Sequence, residues 1–302
     1  MIRVAFFGTP DFAVPSLRAL IGSDKYDVVC IVSQPDKPVG RGSKVVYGAV
    51  KKMGLEHGIP VLQPERISNE LHILDEYKPD IIVTCAFGQI LRQNVLDYCK
   101  YGVINVHGSL LPKYRGSSPI QWAIIKGETK TGVTIMHTDI GLDTGDIILM
   151  REMDISEHEI AGELFVRMSE LGATALLEAL DQISAGTSSR IKQSDTGVEP
   201  SKYPMLNKDM AKIDFDAMTA VEVVNFVRGL NPWPVAWMEY KGQKVRVYKA
   251  SVVQTGHDGS ANNRELVIRC NGDGYVRLDI IQLEGGRVLP TRDYVNGRKI
   301  II

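Results

Sequence analysis

Short apolar segments separated by helical patterns constrain the fold of this 302-residue chain more than any other feature. Two of them are residues 80–86 (DIIVTCA) and 102–106 (GVINV), and two more, at residues 2–7 and 27–33, flank a helical pattern. Continuous apolar, β-branched runs are typical of parallel strands that are covered on both faces. The sequence therefore predicts an α/β fold with a Rossmann-like parallel sheet in the amino-terminal part of the chain.

The carboxyl-terminal part of the chain has a different pattern. A polar segment without periodicity follows a long amphipathic pattern and predicts a linker at residues 189–206. After it come one helical pattern and four short strand patterns with turn sequences between them. Short strands at this spacing predict a small β-barrel. We therefore expect one domain at residues 1–188 and a second at residues 207–302.

Composition argues against several classes of protein. The net charge of −1 gives no sign of a strongly basic nucleic-acid-binding chain, although residues 204–302 carry 14 Lys and Arg against 11 Asp and Glu. The four cysteines form no C-x-x-C pair, which argues against a disulfide framework and against a zinc site. Three cysteines lie in or beside apolar runs, so we expect buried thiols in a reducing cytoplasm. Since no apolar run has the length of a membrane span, we expect no membrane partner.

Polar side chains occur where the predicted strand at residues 102–106 ends. Asn105 and His107 are two residues apart, so on an extended strand they point to the same side. The carboxyl end of a parallel strand is where α/β proteins bind their ligands. An isolated Asn-x-His is more often a structural pair, and Asp143 in an Asp-Thr-Gly sequence is by itself a turn residue. Because Asp143 lies between two predicted strands of the same sheet, the three side chains together form a candidate active site.

The chemistry of this trio is limited by motifs that the sequence lacks. There is no G-x-S-x-G motif for an acyl-enzyme and no H-x-x-x-H or H-E-x-x-H spacing for a metal. An amide, an imidazole and a carboxylate suit direct transfer, in which a substrate amine attacks a carbonyl carbon. Asn105 and protonated His107 can donate hydrogen bonds to the developing oxyanion, and Asp143 can hold the imidazole or relay a proton through water.

A loop at residues 34–44 (QPDKPVGRGSK) follows a predicted strand and is therefore expected at the same edge of the sheet. It contains two prolines and two glycines, and its basic residues Lys37, Arg41 and Lys44 outnumber the single acidic residue, Asp36. Two interpretations remain open. The segment is either an exposed loop with ordinary surface charges or a loop that grips a polyanion through phosphate contacts.

Two motifs carry a resemblance to a known family. Residues 104–121 (INVHGSLLPKYRGSSPIQ) resemble the signature of the 10-formyltetrahydrofolate-dependent formyltransferases, and residues 141–145 (GLDTG) resemble that family's second motif. The resemblance implies that Asn105, His107 and Asp143 are the catalytic groups and that residues 1–188 are the catalytic domain. It implies 10-formyltetrahydrofolate as co-substrate, without a metal. It also implies that the folate lies against a run of four residues, Ser109, Leu110, Leu111 and Pro112.

Three further segments are similar to members of this family that formylate a charged tRNA. They are residues 4–12 (VAFFGTPDF), 34–42 (QPDKPVGRG) and 226–234 (FVRGLNPWP). The resemblance implies transfer of the formyl group to the methionine α-amine of methionyl initiator tRNA, in support of translation initiation. It implies that Lys37, Arg41 and Lys44 contact the acceptor end of the tRNA. It also implies that residues 207–302 form an OB-like domain that binds tRNA, and it implies no obligate protein partner.

Two alternatives stay open. The first is formyl transfer to an amino-sugar nucleotide or another small amine, such as glycinamide ribonucleotide, by the same three side chains. A small acceptor would not need the basic loop at residues 34–44, which favours tRNA. The second alternative is a non-catalytic RNA-binding protein with this fold, in which His107 and Asp143 would have no role.

Overall fold

The computed structural model describes residues 1–36, 38–39, 44–254 and 265–297. The chain divides into two compact units, and each is built from segments that are separate in sequence. The first unit consists of residues 1–116, 132–153 and 165–202. The second consists of residues 117–131, 154–164 and 203–302. The segment predicted to be a linker is thus shared, because residues 189–202 belong to the first unit and residues 203–206 to the second.

A seven-stranded sheet forms the centre of the first unit. In spatial order its strands are β5 (Val61–Leu62), β2 (Tyr26–Val32), β1 (Ile2–Gly8), β6 (Ile81–Cys85), β7 (Val103–His107), β8 (Lys130–His137) and β9 (Ile147–Asp154). The pairs β5–β2, β2–β1, β1–β6 and β6–β7 are all parallel. The prediction of a Rossmann-like parallel sheet is therefore confirmed for these five strands.

Strand β8 departs from the parallel pattern, because it runs antiparallel to β7. Thr134 lies opposite His107, and His137 lies opposite Ile104, near the amino end of β7. The loop that follows β8 therefore starts beside the amino end of β7, whereas His107 lies at the carboxyl end of that strand. A loop that brings Asp143 to His107 has to fold back along the strand.

The central strands of the sheet are buried on both faces, as their apolar sequences predict. Residues Val4 to Phe7 of β1 have no exposed surface, and all five residues of β6 are buried. Burial of one large apolar side chain contributes about 1.5–3 kcal/mol, so these strands fix the sheet. The remaining elements of the first unit are α1 (Val14–Ile21), the short antiparallel pair β3 (Pro38–Val39) and β4 (Lys44–Val45), α2 (Ala49–Glu56), α3 (Gln93–Leu96) and most of α5 (Ala161–Ser184).

The second unit contains an antiparallel sheet. Its elements are α4 (Pro119–Ile125), α6 (Ala220–Gly229), β10 (Trp237–Tyr240), β11 (Gln243–Val253), β12 (Leu266–Arg269), β13 (Tyr275–Leu283), β14 (Leu289–Pro290) and α7 (Thr291–Asn296). The strand order is β10-β11-β13-β12, with β14 also on β13. The predicted strands are present, but a closed OB-like barrel is not confirmed. Within residues 203–254 and 265–297, the edge strands β10 and β12 do not pair with each other.

Helix α6 begins with a capping box. The hydroxyl of Thr219 accepts a hydrogen bond from the backbone N–H of Glu222 (3.3 Å), and the Glu222 carboxylate accepts one from the backbone N–H of Thr219 (2.8 Å). We expect Thr219→Ala to lower the free energy of unfolding by about 1 kcal/mol at pH 7. Urea denaturation measures this change, and Thr174→Ala on the exposed face of α5 is the matched control.

The same capping box predicts a pH dependence. Its hydrogen bonds, first among them the one from the Thr219 backbone, hold the pKa of Glu222 below its ordinary value. The stability that this carboxylate contributes is therefore present above the ordinary pKa of about 4.3 and is lost as the pH falls through the lower folded value. The difference in the free energy of unfolding between wild type and Glu222→Gln should therefore shrink in that range. A difference that stays constant from pH 7 to pH 3 would contradict this account.

Candidate active site

His107 is the last residue of β7, and its side chain is buried. The ring nitrogen Nε2 lies 3.0 Å from the backbone carbonyl oxygen of Tyr114. Because a carbonyl oxygen only accepts hydrogen bonds, the neutral ring carries its proton on Nε2 and keeps a lone pair on Nδ1. The backbone of Tyr114, and not a carboxylate, thus fixes the tautomer of His107. Proton exchange with a substrate is left to Nδ1.

Asp143 faces that second ring nitrogen. Its Oδ2 atom lies 3.7 Å from Nδ1 of His107, a distance at which the two groups interact as charges when the imidazole is protonated. The same Oδ2 accepts a hydrogen bond from the backbone N–H of Gly116 (2.8 Å). The backbone of Asp143 has a φ of +53°, in the left-handed region that Asp and Asn tolerate better than most residues. The loop after β8 therefore does fold back and brings the carboxylate to the imidazole.

Asn105 lies two residues before His107 on β7, so it projects from the same face of the sheet. The hydroxyl of Thr84, on the neighbouring strand β6, donates a hydrogen bond of 2.8 Å to Oδ1 of Asn105. This contact leaves the Nδ2 amide group as the donor that a ligand can use. No residue in the described part of the chain accepts a hydrogen bond from that nitrogen.

The hydrogen bonds and packing contacts of the predicted folate-binding run, residues 109–112, mainly fix the conformation of the run itself. The hydroxyl of Ser109 donates to the carbonyl of Lys113 (2.7 Å), and the backbone N–H of Leu111 donates to the hydroxyl of Thr134 (3.1 Å). Leu111 packs in a core cluster with Met136 and Ile147. Of the four residues in this run, Leu110 alone is not fully buried. A folate beside the run would therefore touch backbone atoms and the Leu110 side chain.

The basic loop is described in part. Lys37 and Arg41 lie outside the described residues, and of Lys44 only the backbone, in β4, is described. The base of the loop holds a polar cluster. The Lys51 ammonium group contacts the Asp36 carboxylate and lies 2.6 Å from Oε1 of Gln63. Gln63 also donates to Oδ1 of Asp36 (3.0 Å). The hydrogen bonds from Lys51 and then from Gln63 hold the pKa of Asp36 below its ordinary value.

Sequence patterns gave no indication that Gln193 contacts this site. It lies in the segment predicted to be a linker, and only 4% of its surface is exposed. Its Nε2 donates to the backbone carbonyls of Asp143 (2.8 Å) and Gly145 (2.9 Å). Its Oε1 accepts from Nε (3.0 Å) and Nη2 (2.7 Å) of Arg115. No local signal marks these contacts, because the partners are about 50 and 80 residues away in the chain.

Four other titratable side chains, those of three cysteines and of His137, stay uncharged at pH 7. Burial raises the pKa of the Cys30, Cys85 and Cys99 thiols to about 12, so these free cysteines stay protonated. Burial, with a smaller effect of Arg190, lowers the pKa of His137 to about 4, which keeps that ring neutral at pH 7.

The described residues contain no group of three or more His, Cys, Asp and Glu arranged to hold a metal ion. Their helices include none that is both long enough and apolar enough to cross a membrane.

Comparison with known families agrees with this geometry. The formyl transferase model matches residues 2–180, and the model of the formyl transferase carboxyl-terminal domain matches residues 205–299. The chain therefore belongs to the formyl transferase family.

Relatives of the chain within that family carry a more specific name. The methionyl-tRNA formyltransferases of Ruminiclostridium cellulolyticum and Acetivibrio thermocellus are 42% and 43% identical to it, and each alignment covers 99% of this chain and 97% of the relative. A solved structure, the N-formyltransferase from Helicobacter canadensis in complex with folinic acid and dTDP-3-aminofucose, has a TM-score of 0.69 at 20% identity. The match covers 92% of this chain and 99% of that one, and it shows the fold alone.

Proposed function

We propose that this chain transfers the formyl group of 10-formyltetrahydrofolate to the methionine α-amine of methionyl initiator tRNA, and so supports translation initiation in the cytoplasm. The observation that carries the proposal is the extent of the similarity to methionyl-tRNA formyltransferases, which covers 99% of this chain at 42–43% identity. The similarity to an enzyme crystallised with an amino-sugar nucleotide is much lower, at 20% identity. Formyl transfer to such a sugar is therefore the less supported alternative.

The catalytic roles follow from which atoms of the site are free. The neutral amine nitrogen attacks the formyl carbon, and an oxyanion forms on the formyl oxygen. Nδ2 of Asn105 and protonated Nδ1 of His107 donate hydrogen bonds to it. When the bond between the formyl carbon and N10 breaks, N10 takes a proton and the attacking nitrogen loses one. Nδ1–H of the His107 imidazolium can give N10 its proton, and the lone pair then left on Nδ1 can accept the proton that the attacking nitrogen loses. The Asp143 carboxylate at 3.7 Å stabilises the imidazolium form.

The folate is proposed to lie beside residues 109–112, against backbone atoms and Leu110. Exposed apolar side chains on nearby loops of the same unit would add contacts to its flat ring. Ile90 follows β6, and Ile140 and Leu142 precede Asp143 on the loop after β8. Large apolar side chains that remain exposed on loops around a candidate site are common in ligand-binding clefts.

The tRNA is proposed to be bound by two parts of the chain. Lys37, Arg41 and Lys44 would contact phosphates at the acceptor end, which suits their charge. Residues 207–302 would form an OB-like tRNA-binding domain, and their surplus of Lys and Arg fits a backbone grip on RNA. In this scheme residues 1–188 supply the chemistry and residues 189–206 connect the two domains.

We expect Arg41→Ala to lower kcat/KM for methionyl initiator tRNA by about tenfold, the effect of one charge-assisted phosphate contact. The dissociation constant of 10-formyltetrahydrofolate should not change. Steady-state kinetics with tRNA and fluorescence titration with the folate measure the two quantities. Lys52→Ala, an exposed cation on α2, is the matched control. An equal loss in both measurements would mean that the loop supports the site and does not contact the tRNA.

The proposed function is tested by comparing acceptors. The protein and 10-formyltetrahydrofolate are incubated separately with methionyl initiator tRNA, methionyl elongator tRNA and an amino-sugar nucleotide, and the formylated product is quantified. The proposal predicts rapid formylation of methionyl initiator tRNA and little reaction of the other two. Preferential formylation of the sugar nucleotide would contradict it, and binding of tRNA without formylation of any acceptor would indicate an RNA-binding protein.

A further inference from the structure

We propose that Gln193 is a positioning residue that holds Asp143 in place against His107. The inference rests on the proposed function, because it assigns Gln193 a role in formyl transfer through the two catalytic side chains. Gln193 itself touches backbone and a guanidinium group, and it acts on the chemistry only through them.

The hydrogen bonds of Gln193 are saturated at both ends of its side chain. Its two Nε2 protons go to the carbonyls of Asp143 and Gly145, and its Oε1 takes two hydrogen bonds from the Arg115 guanidinium group. A buried amide with four satisfied hydrogen bonds has one favoured orientation. Because the residue is only 4% exposed, water cannot replace these contacts when the side chain is changed.

The loop that carries Asp143 needs such a support. It leaves β8 opposite Ile104 and has to return along β7 to reach His107. Residues 139–142 are exposed, so the first half of the loop has little packing of its own. The side-chain contacts of Asp139 stay inside the loop, with the hydroxyl of Thr144 (2.7 Å) and the N–H of Gly141 (3.1 Å). The bonds that tie residues 143–145 to other segments of the first unit include those from Gln193 and from the Gly116 N–H.

Gln193 also connects the segments that hold the two catalytic partners. Arg115 lies between Tyr114, whose carbonyl fixes the His107 ring, and Gly116, whose N–H binds the Asp143 carboxylate. One amide side chain therefore bonds to Arg115 on one side and to residues 143 and 145 on the other. A shift of Gln193 would change the position of the carboxylate relative to the imidazole, which is the geometry on which the proton transfer depends.

The segment around Gln193 is itself fixed to the first unit. Ile191 and Ile147 exchange two backbone hydrogen bonds, of 2.8 and 3.0 Å, where β9 begins. On the other side of Gln193, the backbone carbonyl of Ser201 accepts a hydrogen bond from the N–H of Arg115 (2.9 Å). The support for the Asp143 loop thus comes from a segment that is held on both sides of Gln193, as a positioning role requires.

Two substitutions separate the contacts of Gln193. Gln193→Leu removes all four hydrogen bonds at similar volume. Gln193→Glu keeps the acceptor for Arg115 but replaces the donors that face the carbonyls of Asp143 and Gly145. We expect both to lower the single-turnover rate of formyl transfer by about 10- to 100-fold, since small misplacements of catalytic groups have effects of that size. KM for the folate and the tRNA should stay within about threefold. Lys192→Leu, at an exposed neighbouring position, is the matched control.

A double-mutant cycle with Asp143→Asn tests the positioning role. If Gln193 acts through Asp143, each Gln193 substitution will slow transfer strongly in the wild-type background and by less than about threefold in the Asp143→Asn background. Equal slowing in both backgrounds, or no slowing in either, would overturn the inference. Both substitutions are taken through the cycle, so that a folding defect of one does not decide the result. The cycle is run with whichever acceptor the wild type formylates, so a wrong acceptor assignment appears in the wild-type assay and a wrong role for Gln193 appears in the cycle.

Discussion

We expect His107→Ala to lower kcat for formyl transfer by about 10²- to 10⁴-fold, the usual contribution of a positioned general acid–base group. The reason lies in the two ring nitrogens. Nε2 is committed to the carbonyl of Tyr114, so Nδ1 is the nitrogen that can exchange a proton with the reacting atoms, and alanine removes it. Rapid-quench kinetics measure the loss, and binding of the folate and the tRNA should be unchanged.

The control for this variant is His72→Ala, at an exposed histidine away from the candidate site. It should leave turnover unchanged. Circular dichroism checks that His107→Ala remains folded, since the substitution also removes a buried hydrogen bond. A variant that folds and keeps wild-type turnover would remove His107 from the mechanism.

Asp143 gives the second large effect, and two substitutions separate its charge from its position. Asp143→Asn keeps an acceptor for the Gly116 N–H and suits the left-handed backbone, but it loses the charge that stabilises the imidazolium. We expect kcat to fall by about 10²-fold. Asp143→Ala should be slower still, because it also loses the contact with Gly116.

Asp195→Asn, at an exposed aspartate beside Gln193, is the control for this pair of variants. Single-turnover rates and KM values are measured for all three. The expected order of rates is wild type, then Asp143→Asn, then Asp143→Ala. If Asp143→Asn transferred formyl at the wild-type rate, the negative charge would have no role in catalysis.

The sheet and the two site residues on β7 could be predicted because buried strands have local runs of apolar residues in the sequence. Residues 80–86 and 102–106 are mostly apolar because the side chains of β6 and β7 are largely buried. Against that background Asn105 and His107 stand out, and their spacing places them on one face. The direction of β8 could not be predicted, since an apolar run has the same pattern whichever way the strand points.

The supports of the site could not be predicted from local patterns. Gln193 lies in a polar segment whose composition predicts a linker, and its partners become neighbours only after the chain has folded. The folate-binding run shows a related limit. A motif indicates that residues 109–112 matter, but it does not distinguish side chains that face a ligand from side chains such as Ser109 that hold the backbone. These roles depend on tertiary contacts, which sequence periodicity does not report.

Direct transfer to methionyl initiator tRNA is tested by a single-turnover experiment with 10-formyltetrahydrofolate labelled in the formyl group. The enzyme in excess is mixed with the labelled folate and methionyl initiator tRNA, and the reaction is stopped with acid at intervals. We predict that label appears on the methionine α-nitrogen at the rate at which it leaves the folate, with none bound to protein. Label that accumulates on the protein first, or that leaves the folate without reaching methionine, would contradict direct transfer at His107 and Asp143.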